Sequence, residues 1–354
     1  MITTRDPSLP AAYSDALETL SLGPLWTALH AMLPNERVAR AVPHCWRWRA
    51  VRPLLLDAAK MVPLEQAERR VLVLRNPGLE GAYAITSTLF AGLQIILPGE
   101  AAPSHHHTPA ALRLVVEGDG AYTTVEGVKC AMEAGDLIIT PPMRWHDHGH
   151  EGREPMVWLD GLDIPLVRSL DASWASRMRP AQPPVTERDS SQDEFTAAGL
   201  VPRSSRYEET GYPQVRWPWR TVRRALEALA ATAPAAQPVI LKYINPRTGA
   251  PPLATMAAEA QWLRAGERTR ADRRTAGRVF HVIEGRGESR VGEQMLAWEQ
   301  GDTFVAPPWH WLEHHNLTPN GPACLFQFND EPVLRALGLW QEDAPPTSGV
   351  KREE

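Results

Sequence analysis

Cysteine is scarce in this 354-residue chain: Cys45, Cys130 and Cys324 are odd in number, far apart, and form no Cys-x-x-Cys pair. Neither a disulfide framework nor a zinc ribbon is supported, and buried free thiols in a reducing compartment are the plain reading. No stretch approaches the ~18 consecutive apolar residues of a membrane-spanning helix. The opening Met1-Ile2-Thr3-Thr4-Arg5-Asp6-Pro7 carries no apolar leader core. A cytoplasmic protein without a membrane partner is expected. Lys and Arg form no block clear of acidic neighbours and the net charge is −5, which argues against nucleic acid as a partner.

What the chain has in plenty is proline, 33 residues, which favours turns and short strands over long helices, and a concentration of histidine. Six of the twelve histidines lie between Pro98 and Asp160: His105, His106, His107, His146, His148 and His150. Side chains on a strand alternate faces, so His105 and His107 point one way and His106 the other. Neutral imidazoles ligate zinc, copper, iron and nickel. Two from one strand and a third from a later strand of the same curled sheet would fill half of an octahedral shell. The stretch reads as a metal site.

A chain of this length suggests more than one domain. Leucines at mostly three- to five-residue spacing from Pro10 to Leu33, broken at Gly23-Pro24, predict helices, and a further helix is expected after Pro53. Pro43-His44-Cys45-Trp46-Arg47-Trp48-Arg49 between them reads as a lid, a subunit contact or a packed connector. From Arg70 the texture turns to short β-rich runs (Val71–Leu74, Ala91–Leu97, Leu112–Val116, Leu137–Thr140) between Gly, Pro and acidic turns, as in a sandwich or barrel. That texture repeats. Gly266-Glu267 answers Gly99-Glu100 and Glu284-Gly285-Arg286-Gly287 answers Glu117-Gly118-Asp119-Gly120, both at an offset of 167. Gly301-Asp302 answers Gly135-Asp136 and Pro307-Pro308 answers Pro141-Pro142, both at 166. One β-barrel unit is carried twice. The expected organisation is an N-terminal helical segment (1–69), a first barrel (70–168), a connection (169–237) with a helix near Arg220–Ala231, a second barrel (238–332) and a tail (333–354), disordered from Ala344.

Gly99-x5-His105-x-His107, followed by Gly135-Asp136-x4-Pro141-x4-His146, resembles the two motifs of the cupin superfamily. With the repeat, the chain looks like a bicupin: mainly β, two double-stranded β-helix (jelly-roll) barrels behind a helical segment. More narrowly, Pro43-His44-x-Trp46, Asn76-Pro77-Gly78, Ala91-Gly92-Leu93-Gln94, Arg113–Gly118, Trp145–Gly149 and Trp158–Pro165 resemble gentisate 1,2-dioxygenase and its relatives acting on salicylate or 1-hydroxy-2-naphthoate.

The resemblance implies one Fe(II) per subunit, held in the first barrel by His105, His107 and His146. It also implies gentisate and O2 as substrates, maleylpyruvate as product, and a homotetramer. Where many cupins place a fourth ligand, a Glu three or four residues after His-x-His, this chain has Ala110 and Ala111. Three neutral ligands leave the iron its full charge and open positions, a three-histidine counterpart of the facial triad. Arg113 shares the parity of His105 and His107, so its guanidinium matches a substrate carboxylate by a bidentate fork unless Pro109 introduces a bulge. Gln94 is expected to point into the barrel as an amide partner for substrate. His148 shares the face of His146 and is a candidate to orient a substrate oxygen or move a proton. Asp160 is expected to hold the tautomer of His148 or touch the ring hydroxyl, and His150 has no assigned role. The repeat puts Asp272, Arg274, Leu312 and Phe280 where the first barrel has His105, His107, His146 and Arg113. The second barrel, despite His310, His314 and His315, is therefore expected to be structural. Competing readings are a zinc isomerase or decarboxylase, and a ligand sensor without turnover.

Overall fold

The computed structural model describes residues 8–177, 184–190, 195, 211–235 and 237–343. The expected disorder from Ala344 and much of the 178–210 stretch lie outside the described residues. The chain divides between Ala39 and Arg40 into two compact units. The first contains the helices Ala11–Thr19 and Leu25–Met32, separated at Gly23-Pro24 as the leucine spacing predicts.

The second unit holds both barrels. In the first, one sheet runs in the order Arg216–Trp217, Leu137–Thr140, Ala111–Glu117, Met156–Leu162, Phe90–Ile96, Arg70–Val73. In the second, the matching sheet runs His44–Trp46, Thr303–Ala306, Arg278–Glu284, Ala323–Asn329, Ala257–Leu263, Val239–Lys242. The order is the same, and so is the register: Arg113 faces Asp160, and 167 residues on Phe280 faces Gln327. Each first strand comes from outside its own barrel's run. The expected connector at Pro43–Arg49 is thus a strand of the second barrel, paired with Thr303–Val305. The stretch after the first barrel supplies Arg216–Trp217 to that barrel's own sheet.

The recurring Gly-Asp explains how those segments dock. Asp136 accepts from the backbone N–H of Trp219 (2.8 Å) and Asp302 from that of Trp48 (2.8 Å), in each case the first residue of a helix. A carboxylate there satisfies an orphan donor and the positive end of the helix dipole. These helices are Trp48–Met61 and Trp219–Thr232. The first starts before Pro53, not after it: with Trp48 held by Asp302 the helix nucleates upstream and tolerates the proline one turn in. The partner glycines are equally constrained. Gly135 and Gly301 sit at φ +87° and +88°, and a Cβ on either would lie 2.5 Å from the Trp219 or Trp48 ring.

Outward faces of the two large sheets share one core, in which Leu112, Leu114 and Leu159 cluster with Val279, Phe326 and Phe328. The inner face of the first barrel is closed by Ile96, Val115, Ala121, Met132, Ile138, Met156 and Trp158. Above that floor lies the barrel's other six-stranded sheet, which carries the histidines: Ala175–Arg177, Ala101–His107, His146–His150, Asp119–Val125, Val128–Glu133, Glu187–Arg188.

Candidate active site

Strand pairing alone brings the three predicted ligands together. His105 stands directly opposite His146, after a bulge at Pro103-Ser104 that resets the register, and His107 follows on the same face. One nitrogen from each of His105, His107 and His146 lies within 4.8 Å of the others. His106 points outward as parity requires, stacked on Trp145 at 4.1 Å.

The donor set suits a divalent cation. The Nδ1 of His107 is 2.7 Å from the Pro109 carbonyl and that of His146 is 2.9 Å from the Arg144 carbonyl. Carbonyls only accept, so each Nδ1 carries the proton and each Nε2 a lone pair. The Nε2 of His146 is buried without a partner among the described residues. Burial, reinforced by the Arg69 and Arg113 charges, pulls His105 down to about 2 and His107 to about 4. The rings are neutral, so no net charge has to be shed before a metal enters. Ala110 and Ala111, buried at the usual fourth-ligand position, offer no carboxylate.

Arg113 faces inward, without a disruptive bulge at Pro109. Its Nε lies 3.3 Å from Asp160 Oδ1 and its Nη1 donates to Thr140 Oγ1 at 2.5 Å. The Nε has no well-aligned acceptor, so the fork is not saturated. Asp160 also accepts from the Trp158 indole (3.1 Å); burial pushes its carboxyl up to about 6 even with the guanidinium beside it. Asp160 does not hold the His148 tautomer. That contact belongs to Thr123, whose Oγ1 is 2.8 Å from His148 Nδ1 across the Asp119–Val125 and His146–His150 pair, while Asp160 is committed on another strand. His148 Nε2 is buried and unpartnered among the described residues. Gln94 is buried on the face shared with Ile96, directed into the barrel as expected. His150 is a loop staple: its Nε2 donates to the Glu154 carbonyl (2.6 Å) and its Nδ1 accepts from Gly152 N–H (3.0 Å).

Arg69 was missed by the sequence reading. Glu68 before it takes φ +56°, which turns the chain so that Arg69 Nη2 reaches His105 Nδ1 (2.6 Å) and the Pro103 carbonyl (3.1 Å). Burial and the Arg113 charge lower it to about 10. A guanidinium only donates, so His105 Nδ1 accepts here. If His105 held a metal through Nε2, its proton would have to move from Nε2 to Nδ1, and Arg69 would then lose that contact. The strand Ala175–Arg177 pairs with His105–His107 and covers their open edge, giving the connection a place beside the site.

Residues 92–162 match the cupin domain family. Over 337 residues the chain is 43% identical to a gentisate 1,2-dioxygenase of Ralstonia sp, covering 94% of each chain. The chain belongs to the gentisate 1,2-dioxygenase family. It is 35% identical over 354 residues to a 5-aminosalicylate 1,2-dioxygenase of Comamonas sp, covering 96% of this chain and 91% of that one. The solved salicylate 1,2-dioxygenase of Pseudoaminobacter salicylatoxidans, described as adducts with gentisate, superposes with a TM-score of 0.89 at 31% identity, covering 98% of this chain and 97% of that one. As a family member this chain is a bicupin and a ring-cleaving dioxygenase of the gentisate/salicylate type. No helix among the described residues is long and apolar enough to cross a membrane.

Proposed function

We propose that this family member is an Fe(II)-dependent dioxygenase that takes gentisate and O2 to maleylpyruvate, with one iron per subunit on His105, His107 and His146. The observation that carries the reading is the three-imidazole cluster, with alanine at the fourth-ligand position and two guanidiniums, Arg113 and Arg69, beside it. Bound Fe(II) would supply open coordination positions and electrons for O2. The protein's own part is orientation and charge. Arg113, braced by Thr140 and Asp160, and Arg69, once free of His105, present forks to the substrate carboxylate. His148 presents Nε2 to a ring oxygen, Gln94 offers an amide from the floor strand, and Asp160 keeps Arg113 in place. The first barrel, 70–168, carries this chemistry, while the second, 238–332, is structural. The resemblance also supports a cytoplasmic homotetramer.

Salicylate and 1-hydroxy-2-naphthoate would use the same carboxylate and ortho-oxygen. Gentisate is preferred because the 43%-identical relative is named for it. The test is oxygen uptake by protein reconstituted anaerobically with Fe(II), with absorbance of the ring-opened product followed in parallel. Stoichiometric uptake with gentisate, faster than with either alternative, is expected. Bound iron without uptake on any of the three would replace this reading with a non-oxidative one.

A further inference from the structure

We propose that Thr123 and Met132 are positioning residues that hold His148 in the tautomer whose Nε2 bears a lone pair, so that this atom accepts a hydrogen bond from a substrate hydroxyl. The inference rests on the aromatic-hydroxyl reading above for its use, but not for its geometry.

Hydrogens set the direction of this short chain. A threonine hydroxyl has one, and Thr123 Oγ1 has two neighbours, His148 Nδ1 at 2.8 Å and Met132 Sδ at 3.2 Å. A thioether only accepts, so both contacts are hydrogen bonds at once in one arrangement alone, with the Thr123 hydrogen on sulfur and its oxygen meeting Nδ1 with a lone pair. Nδ1 then carries the single N–H of the neutral ring, and Nε2 is left as an acceptor. That Nε2 is fully buried, without a partner among the described residues, on a ring 5.8 Å from His146 and 5.4 Å from Trp158.

The second barrel is an internal control. At the same 166-residue offset, Ser289, His314 and Trp298 replace Thr123, His148 and Met132, in the same strand register. Ser289 Oγ is 2.7 Å from His314 Nδ1, but there the Trp298 indole N–H donates to Ser289 Oγ at 2.8 Å. An indole only donates. The serine's own hydrogen therefore goes to Nδ1, and His314 carries its proton on Nε2. One side chain, Met132 against Trp298, reverses the direction of the same short chain of hydrogen bonds.

The test begins with metal-free protein labelled with 15N-histidine, where ring nitrogen shifts distinguish a protonated nitrogen from a bare one. The His148 and His314 signals are assigned by their disappearance in His148→Gln and His314→Gln. His148 protonated at Nδ1 and His314 at Nε2 is the expected result; His148 protonated at Nε2 overturns the proposal, whatever the substrate proves to be. Met132→Leu, which keeps the volume and removes the acceptor, is expected to move the His148 pattern toward the other tautomer. An unchanged pattern would remove Met132 from the proposal. After iron loading, Thr123→Val is expected to lower kcat roughly three- to tenfold, the scale of one neutral hydrogen bond, at unchanged iron content. Thr123→Ser is expected to restore it. Equal rates for Val and Ser at position 123, in an enzyme that turns gentisate over, would overturn the positioning role while leaving the proposed function standing.

Discussion

Opposite Asp160 in the first barrel stands Arg113, and at the same register in the second barrel Phe280 stands opposite Gln327. The two lumens diverge from there. In the second, Phe280 stacks on Phe304 at 4.8 Å, Trp298 stacks on Phe304 at 6.4 Å, and His314 meets Phe280 edge-on at 5.0 Å. Rings fill the space that the first barrel leaves for a metal and a substrate. The counterparts of His105 and His107 are Asp272 and Arg274, which neutralise each other at 2.8 Å, with Arg278 also on Asp272. Meanwhile the frame is unchanged: both barrels keep the Gly-Asp turn, the tryptophan-led helix and the borrowed strand. Stacked aromatic pairs contribute ~0.5–1.5 kcal/mol beyond their burial, whereas Arg113 Nε and the Nε2 atoms of His146 and His148 are buried without a hydrogen-bond partner among the described residues. The first barrel gives up packing for chemistry; the second does the reverse.

The largest test of that contrast compares His146 with its counterpart Leu312. His146→Ala is expected to abolish metal binding and turnover together, while the metal-free protein unfolds at the same urea concentration as the metal-free parent. Leu312→Ala is expected to leave metal content and kcat alone and to lose ~2–5 kcal/mol of stability through the cavity it opens. Full metal stoichiometry in His146→Ala would break the ligand assignment, and a catalytic defect in Leu312→Ala would break the division of labour.

Next in size is Arg113→Ala. Losing a charge-assisted hydrogen bond of ~1.5–3 kcal/mol lowers kcat/KM roughly 10- to 100-fold, chiefly through KM, with iron retained. The same change leaves Asp160 buried without its cation. Its carboxyl, already raised from 3.8 to about 6 by burial, then rises further. A raised carboxyl stabilises the fold below its ordinary range and loses that contribution as the pH climbs through its folded value. The stability deficit of the variant therefore grows from pH 4 to pH 8 and shrinks when Asp160→Asn is added. Urea unfolding at both pH values measures it, and a deficit independent of pH would separate Arg113 from Asp160.

Much of this was legible in the sequence because it is written in local spacing. Period two places His105, His107 and Arg113 on one face, and a fixed offset of Gly-Asp and Gly-Glu turns reveals the doubled barrel. Arg69 was not legible: nothing around Glu68-Arg69 signals the positive φ that swings the guanidinium onto His105. Nor was the pairing of His44–Trp46 with Thr303–Val305, since partners so far apart leave no mark on either segment's periodicity. One of the two roles expected of Asp160, holding the His148 tautomer, fell to another residue for a related reason. Parity places a side chain on a face but does not say which of several polar neighbours it meets, and Thr123, an unremarkable strand threonine, reached His148 instead.

Thr140 gives the smallest and sharpest comparison. Its hydroxyl accepts from Arg113 Nη1, and its counterpart at the 166-residue offset is Ala306, in the barrel where arginine has become Phe280. If the hydroxyl exists to brace the guanidinium, the two positions respond in opposite ways. Thr140→Val keeps the shape and removes one hydrogen bond worth ~1 kcal/mol, so KM for the aromatic acid is expected to rise severalfold with iron content unchanged. Ala306→Thr adds a hydroxyl to an apolar lumen already filled by Phe280, Phe304 and Trp298. Arg278, directly opposite Ala306, is already paired with Asp272, so the added hydroxyl costs ~1–3 kcal/mol of stability and leaves KM where it was. An unchanged KM in Thr140→Val would mean that Asp160 alone sets the position of Arg113. The loss of threonine and arginine together in the second barrel would then reflect how aromatic rings pack rather than how a carboxylate is held.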